Sequence, residues 1–175
     1  MKLRLPSIDI HLEGIHLSAR AHRLGNRLVR APYFRGHGVH SPYVYAIVRE
    51  VFMRKTLMEG DRSVYALLKD RGVADKRAVQ LQNLAIHCGF AEAGYDVAEG
   101  DLWVLSEELS RSRTLKLVAL ARTEKRTVVL MNPYASRERE ALCRMIRIQH
   151  PSTTVDNRAY LLIFNNHLPK QHFRI

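Results

Sequence analysis

The apolar residues between positions 44 and 52 recur with the period of a helix. They stand at i, i+3, i+4, i+7 and i+8, which places them on one helical face: Val44, Ile47, Val48, Val51 and Phe52. Just before them, Ser41 has the side chain of a helix N-cap, and Pro42 suits the first helical position, where its missing N–H costs nothing. The pattern therefore predicts an amphipathic helix that starts at Ser41 and packs against the body of the protein.

Two further helices are predicted over residues 61–70 and 75–88. Their inner faces are formed by Val64, Leu67 and Leu68 in the first helix and by Leu81, Leu84, Ala85 and Cys88 in the second. Gly72 and Gly89 follow them at the positions where glycine commonly ends a helix. The first half of the chain is therefore expected to be helical.

Strands and helices alternate in the second half. Residues 101–106 form a short apolar strand, and Ser106, followed by Glu107 and Glu108, has the pattern of a cap with acidic residues in the first helical turn. A second strand is expected over 127–131, a helix from about Ser136 to Gln149, and a last pair of strands in 160–164 and 168–175. This order indicates an α/β domain with a small mixed sheet of about four strands, the last two antiparallel.

Length and composition indicate one domain with a helical extension. At 175 residues with 46% hydrophobic content, the chain is long enough for one substantial core. We divide it into a basic N-terminal helical arm, 1–35, and an α/β domain, 36–175. No apolar run is long enough to cross a bilayer, and the N-terminus lacks the apolar segment of a secretory signal, so we expect a cytoplasmic protein. Cys88 and Cys143 are expected to be free thiols.

The charge is strongly basic, at +11. In the arm, four arginines recur at helical spacing on a face separate from the leucines: Arg20, Arg23, Arg27 and Arg30. Such a helix either packs on its own domain with a solvated basic face or contacts an anionic membrane surface or nucleic-acid phosphates. Weak, non-specific nucleic-acid binding is the partner that we expect of it, because no sequence-reading motif accompanies the charge.

The segment just before the first helix is rich in histidine and glycine. His37 and His40 can bond backbone carbonyls or cap the turn, and Gly38 lets the chain approach the helix closely. A metal site at the two histidines would need a third ligand that the neighbouring sequence does not offer. We therefore assign His37, Gly38, His40, Ser41 and Pro42 a structural role.

Two segments resemble a known family. The run His-Gly-Val-His-Ser-Pro-Tyr-Val at 37–44 is similar to the N-terminal signature of bacterial S-adenosylmethionine (SAM)-dependent, O-methyltransferase-like proteins of class I. The segments 160–165 and 168–175 resemble the terminal hairpin of the same family, and the elements from 101 onward resemble its fourth strand, fourth helix, fifth strand and fifth helix. The resemblance implies a truncated Rossmann-like methyltransferase fold.

The cofactor-binding part of that family is not matched. The family places a Gly-rich loop after its first strand and an acidic residue after its second, and residues 90–101 contain neither pattern. A weaker alignment makes 95–101 a decayed first strand, although Gly94 and Gly100 are also typical of ordinary turns. The expected function is a degenerate, non-catalytic methyltransferase-like protein that acts by binding and needs no cofactor. The alternatives are an active SAM-dependent enzyme completed by a partner chain and a basic nucleic-acid-binding protein.

No other catalytic, cofactor or metal residues are predicted. Glu99, Asp101, Glu107 and Glu108 cluster in sequence near a strand end, but no base, nucleophile motif or metal triad accompanies them. If the first three strands of the family are missing, one edge of strand 101–106 has lost its neighbour. Such an edge is expected either to pair with a second copy in a homodimer or to be covered by the N-terminal helices.

Overall fold

The computed structural model describes residues 40–165 and 168–175. The predicted basic arm with Arg20, Arg23, Arg27 and Arg30, and the motif residues His37 and Gly38, lie outside the described residues.

The first helix, α1, spans Pro42–Ile47 and continues as a π-helical turn over Val48–Phe52. Ser41 is its N-cap: the backbone is extended and the hydroxyl accepts a hydrogen bond from the Val44 N–H at 3.4 Å. Val44, Ile47, Val48 and Val51 are buried, so the predicted start and apolar face of this helix are confirmed.

Helices α2 (Ser63–Asp70) and α3 (Asp75–Cys88) also lie where the pattern predicts. Three buried amide side chains of α3 bond the neighbouring segments. Gln80 donates to the Phe52 carbonyl at 3.0 Å, and Gln82 accepts from the Tyr65 N–H at 2.8 Å. Asn83 accepts from the Met58 N–H at 2.8 Å and donates to the Thr56 carbonyl at 2.9 Å. These bonds satisfy loop backbone groups that would otherwise be buried without partners. They join α3 to the end of α1, to the following loop and to α2.

Two helices and six strands complete the described chain. The strands are β1 (Ala93–Tyr95), β2 (Leu102–Leu105), β3 (Thr127–Met131), β4 (Thr154–Asp156), β5 (Tyr160–Ile163) and β6 (His172–Arg174). Helix α4 (Arg111–Thr123) joins β2 to β3, and α5 (Arg137–Gln149) joins β3 to β4. The strand order in the sheet is β1-β2-β3-β5-β4-β6.

The sheet is mixed. β1, β2 and β3 are parallel neighbours, β5 is antiparallel to both β3 and β4, and β6 is parallel to β4. The four residues of β2, the five of β3 and the four of β5 are buried throughout, as expected for strands covered on both faces. The α/β class is therefore confirmed.

Each face of the sheet carries its own apolar core. One core joins α1, α2 and α3 to the face that presents Val104, Val129 and Leu162. The other joins α4 and α5 to the opposite face, with Trp103 and Leu130 at its centre. Because α4 and α5 cover only the β2, β3 and β5 part of their face, a cleft is left beside α5 over β4 and β6.

The strand predictions need three corrections. The sheet has six strands in place of about four, because β1 and β4, at three residues each, are too short to give a sequence pattern. β5 has antiparallel neighbours as expected, but the terminal segment does not form a hairpin with it: β4 lies between β5 and β6. The open edge expected on strand 101–106 is also wrong, because β1 pairs with Leu102–Val104. A homodimer through residues 101–106 would have to displace β1.

The predicted cap at Ser106 is wrong as well. Residues 107–109 form a turn, and the N-cap of α4 is Ser110, whose hydroxyl accepts from the Arg113 N–H at 3.3 Å. The helix from Ser136 is confirmed, since the Ser136 hydroxyl accepts from the Arg139 N–H at 3.1 Å. In the described part of the chain, no helix is long and apolar enough to span a membrane.

Ser41→Ala is expected to destabilise the protein by about 0.5–1 kcal/mol. Loss of an N-cap costs about 0.5–2 kcal/mol in general, and the 3.4 Å bond to the Val44 N–H is long, which favours the lower half of that range. Urea denaturation followed by circular dichroism measures the change. Ser41→Asp keeps a capping oxygen and should stay near the wild-type midpoint; equal midpoints for Ser41→Ala and the wild type would contradict the capping role.

Candidate functional site

Open α/β sheets bind ligands at the carboxyl ends of their parallel strands, so the ends of β1 and β2 are candidates for a ligand site. The connection between these two parallel strands is residues 96–101 alone, whereas a parallel crossover ordinarily takes a dozen residues or more. The chain turns back on itself, and Gly100 pairs with Ala93 in an antiparallel bridge. The connection is therefore a tight fold-back.

Two glycines permit this fold-back, and their close neighbours belong to the chain itself. A Cβ on Gly94 would lie 2.9 Å from the carbonyl oxygens of Val97 and Glu99. Gly100 has φ of +70°, and a Cβ there would lie 2.6 Å from the backbone of Glu92. The space beside both glycines is filled by backbone, so they do not form a cradle for a ligand.

Asp96 occupies the end of β1. Its carboxylate accepts hydrogen bonds from the Ser106 N–H at 2.7 Å and the Ser106 hydroxyl at 2.8 Å, and its own N–H donates to the Val104 carbonyl at 2.9 Å. Ser106 therefore fastens the end of β2 to the end of β1, which is a structural role and not the helix cap predicted for it.

The acidic residues that cluster in sequence are separated in space. Asp101 precedes β2, where it forms an ion pair with Arg126 and accepts from the Ala91 N–H at 2.9 Å. Glu107 follows β2 and accepts from the Asn132 amide at 2.8 Å. They lie at opposite ends of the strand. Across residues 40–165 and 168–175, no group of three or more His, Cys, Asp or Glu side chains could hold a metal ion.

A cleft of about 300 Å³ lies between α5 and the strands β4, β5 and β6, and we call it the arginine cleft. Helix α5 contributes Glu140, Cys143, Arg144 and Arg147, and the turn after β3 contributes Pro133 and Tyr134. The strands contribute Asp156, Leu161 and Arg174. Pockets for small molecules begin at about this volume.

Three arginines line the cleft. Arg144 and Arg147 stand one turn apart on α5, and Arg174 comes from β6. The ion pairs of the described chain are Lys69–Asp75, Arg71–Asp70 and Arg126–Asp101, so none of the three cleft arginines is paired with a carboxylate there. Arg147 instead bonds the ring of His172 at 2.7 Å, and that ring also bonds Thr154 at 2.9 Å.

Two carboxylates also line the cleft. Asp156 is buried on β4, where its carboxylate accepts from the Tyr134 hydroxyl and from the Arg158 N–H at 2.8 Å. Asp156 is the register partner of Arg174 on the neighbouring strand, and Glu140 lies one turn before Arg144 on α5. The cleft thus carries charges of both signs close together.

Cys143 lies in the wall of the cleft but is a poor nucleophile. Burial raises the pKa of its thiol to about 11, although the positive charge of nearby Arg139 opposes the shift. Because the thiolate is the reactive form, this residue is almost entirely protonated and unreactive at neutral pH. The cleft is therefore suited to binding more than to covalent catalysis.

Arg139 is a buried cation in the first turn of α5, one turn before Cys143. It is 6% exposed, and its Nη2 donates to the carbonyls of Leu105 and Met131 at 3.3 and 3.0 Å. Its Nε and Nη1 have no hydrogen-bond partner among the described residues. A buried guanidinium without a carboxylate partner is costly and raises the positive potential around it.

Of the five predicted motif residues, the structure describes His40, Ser41 and Pro42. They lie at the start of α1, where Ser41 is the N-cap and Pro42 the first helical residue. The cleft itself was missed, because its residues come from a turn, a helix and three strands. Arg144 and Arg147, at i and i+3 on one helix, were the one local signal for it.

Comparisons with protein-family models, with curated proteins and with solved structures find no match to this chain.

Proposed function

We propose that this protein is a degenerate methyltransferase-like domain that does not transfer methyl groups and acts through binding. The observation that carries the proposal is the fold-back between β1 and β2. In the family that the chain resembles, the first strand leads into a Gly-rich loop that approaches the cofactor; here a Cβ added at Gly100, the glycine that the weaker alignment assigns to that loop, would lie 2.6 Å from the Glu92 backbone, so the space beside Gly100 is filled by the chain itself.

The order of elements supports the same ancestry. From residue 102 onward the chain runs β2, α4, β3, α5 and then the strands β4 and β5. This is the succession of strand and helix that the resemblance implies for the later half of the family's fold. The weaker alignment is not supported in its bounds, because β1 spans Ala93–Tyr95 and residues 96–101 form the connection to β2.

The residues of the fold-back do not fit SAM. The carboxylate of Asp96, at the end of β1, is already held by Ser106, and the fold-back itself fills the space beside the glycines. Among the described residues, the fold-back therefore offers neither a glycine-rich loop nor a free carboxylate at the end of β1 for the cofactor. An enzyme completed by a partner chain would need that partner to supply them.

We therefore expect no thermal stabilisation by SAM or by its demethylated product. A ligand at 100 times its dissociation constant adds about 2.7 kcal/mol, and each kcal/mol moves the midpoint of a chain of this size by about 2–4 °C. A differential scanning measurement at millimolar ligand would detect such binding. A reproducible, saturable rise of several degrees would overturn the proposal and favour the active enzyme.

Nucleic-acid binding is the second candidate, and the observation in its favour is the charge of α4 and the turn after it. Residues 111–126 carry Arg111, Arg113, Lys116, Arg122, Lys125 and Arg126 against the single acid Glu124. Most of these side chains are exposed. Such a surface attracts phosphates without reading sequence.

Binding to a random duplex is expected to be weak and to fall steeply with salt, with a slope near −0.9 per phosphate contacted. Fluorescence anisotropy over a salt series measures it. Arg113→Gln tests the α4 surface and Arg23→Gln the N-terminal arm, and each should reduce the slope by about 1 if its residue contacts a phosphate. Tight binding that survives high salt would favour nucleic-acid recognition over the first proposal.

A further inference from the structure

A buried histidine lies in the connection from α5 to β4. His150 is the C-cap of α5 and is 5% exposed. Its Nδ1 accepts a hydrogen bond from the Ser152 N–H at 3.3 Å. The Ser152 hydroxyl lies 3.0 Å from the same atom and donates to the Phe164 carbonyl, just after β5. A nitrogen atom that accepts from an amide N–H carries no proton, so these contacts favour the neutral ring with its proton on Nε2.

The other edge of the ring faces an amide side chain. The Asn165 Nδ2 donates to the Arg126 carbonyl, which leaves the Asn165 Oδ1 to accept from a neighbour. The His150 Nε2 and the Asn165 Oδ1 are a buried donor and acceptor without a partner of normal hydrogen-bond geometry among the described residues, and the two side chains are close enough to interact. The neutral ring therefore suits both of its neighbours, Ser152 and Asn165.

The surroundings of the ring oppose a positive charge. Burial lowers the pKa of His150 below its ordinary value of 6.5, although the Asn165 side chain opposes the shift. The charged groups that act on the ring from the described residues are Arg122 of α4 and Lys170 of the segment before β6, and both lower the pKa further. Arg126 contacts Asn165 through its carbonyl, while its guanidinium is held in an ion pair. A protonated ring would therefore be a buried cation beside like charges.

Protonation would also break a hydrogen bond. Both nitrogen atoms of a protonated ring are donors, so Nδ1–H would face the Ser152 N–H. The Ser152 hydroxyl could accept from the ring, but the Ser152 N–H would then be a buried donor without a partner. The proton is accommodated best when the segment around His150 moves into water. That segment leads directly into β4, whose Asp156 lines the arginine cleft.

We propose that Ser152, His150 and Asn165 form an acid-sensitive latch, in which protonation of His150 releases Ser152 and loosens the connection from α5 into β4. The latch holds fully above the pKa of an exposed histidine, about 6.5, and is lost progressively as the pH falls below that value, because only the opened state takes up the proton readily. The inference goes beyond the proposed function, since it concerns how the domain responds to pH and not what it binds.

Hydrogen–deuterium exchange of the full chain at about pH 7.5 and about pH 5.5 tests the latch. After correction for the intrinsic exchange rates, protection of residues 150–156 should fall about five- to tenfold at the lower pH, because the opened state gains a proton that the closed state does not. Protection of α3 should stay unchanged. His150→Gln has no titrating ring and should show no such fall. His87→Gln, on α3, and His167→Gln, outside the described residues, should behave like the wild type.

NMR of the histidine rings provides an independent measurement. The His150 ring should remain neutral in the folded protein at pH values where exposed histidines are already protonated. A His150 ring that gains its proton at the ordinary pKa or above would overturn the latch. So would an equal loss of protection in His150→Gln, or a loss that α3 shares. If His150→Gln does not fold, the wild-type ring titration and the comparison of residues 150–156 with α3 still decide. The SAM measurement is made at neutral pH, so its outcome and that of the latch are independent.

Discussion

Gly100→Ala is expected to destabilise the protein by roughly 2–5 kcal/mol. The left-handed backbone at φ +70° costs an L-residue about 1–2 kcal/mol, and a Cβ placed 2.6 Å from the Glu92 backbone requires a main-chain shift that costs about 1–3 kcal/mol more. Because small domains are stable by only about 5–15 kcal/mol, the loss should be plain in a urea unfolding curve.

Gly72→Ala is the matched control. Gly72 has nearly the same backbone angle, φ +73°, but no atom lies within 4 Å of the position that its Cβ would take. Gly72→Ala should therefore lower the free energy of unfolding only by the cost of the left-handed backbone, about 1–2 kcal/mol. Equal losses at the two glycines would show that the fold-back is not tightly packed.

Trp103→Ala is expected to have the largest effect of all, a loss of roughly 4–8 kcal/mol that leaves little folded protein. Trp103 is 1% exposed at the centre of the core under α4 and α5, and truncation of a buried aromatic residue costs about 3–5 kcal/mol. The indole N–H also donates to the Gly100 carbonyl at 3.0 Å, and leaving that carbonyl unpaired adds about 1–3 kcal/mol.

Two comparisons delimit the Trp103 effect. Trp103→Phe keeps most of the buried ring and removes the hydrogen bond, so it should lose clearly less stability than the alanine variant. Leu120→Ala removes a side chain that is 42% exposed and should change stability by no more than about 0.5 kcal/mol. Unfolding is followed by circular dichroism, because Trp103 is the single tryptophan of the chain. A cooperative transition near the wild-type midpoint for Trp103→Ala would contradict its central position.

The helices were the most predictable part of the fold. α3 has its predicted bounds, Asp75–Cys88, and α1 starts at Ser41 with the predicted apolar face, because caps and the helical period are local properties of the chain. The local pattern gave one wrong prediction. Ser106, Glu107 and Glu108 have the composition of a helix start, but the Ser106 hydroxyl donates to the Asp96 carboxylate, and Ser110 caps α4 instead. A tertiary hydrogen bond decided between two serines that look alike in sequence.

The sheet was predicted only where its strands are long enough to be recognised. β3 (Thr127–Met131) was found with its observed bounds, because it is apolar throughout. β1 and β4 are three residues long and were not predicted. For that reason the prediction left β2 without one of its neighbours and placed the terminal strand beside β5. A strand of three residues is stabilised by hydrogen bonds to its neighbouring strands, and its own sequence is too short to show the alternating pattern of a strand.

Sequence alone determined the α/β class of this protein, the limits of most helices and the N-cap at Ser41, since each depends on residues close together in the chain. Tertiary structure alone decided the strand order, the pairing of β1 with β2, the separation of Asp101 from Glu107 and the assembly of the arginine cleft. The physical reason is the same in each case. Arg144 and Arg174 lie thirty positions apart in sequence and meet only because β6 pairs with β4 beside α5, and such pairing depends on contacts summed over the whole domain.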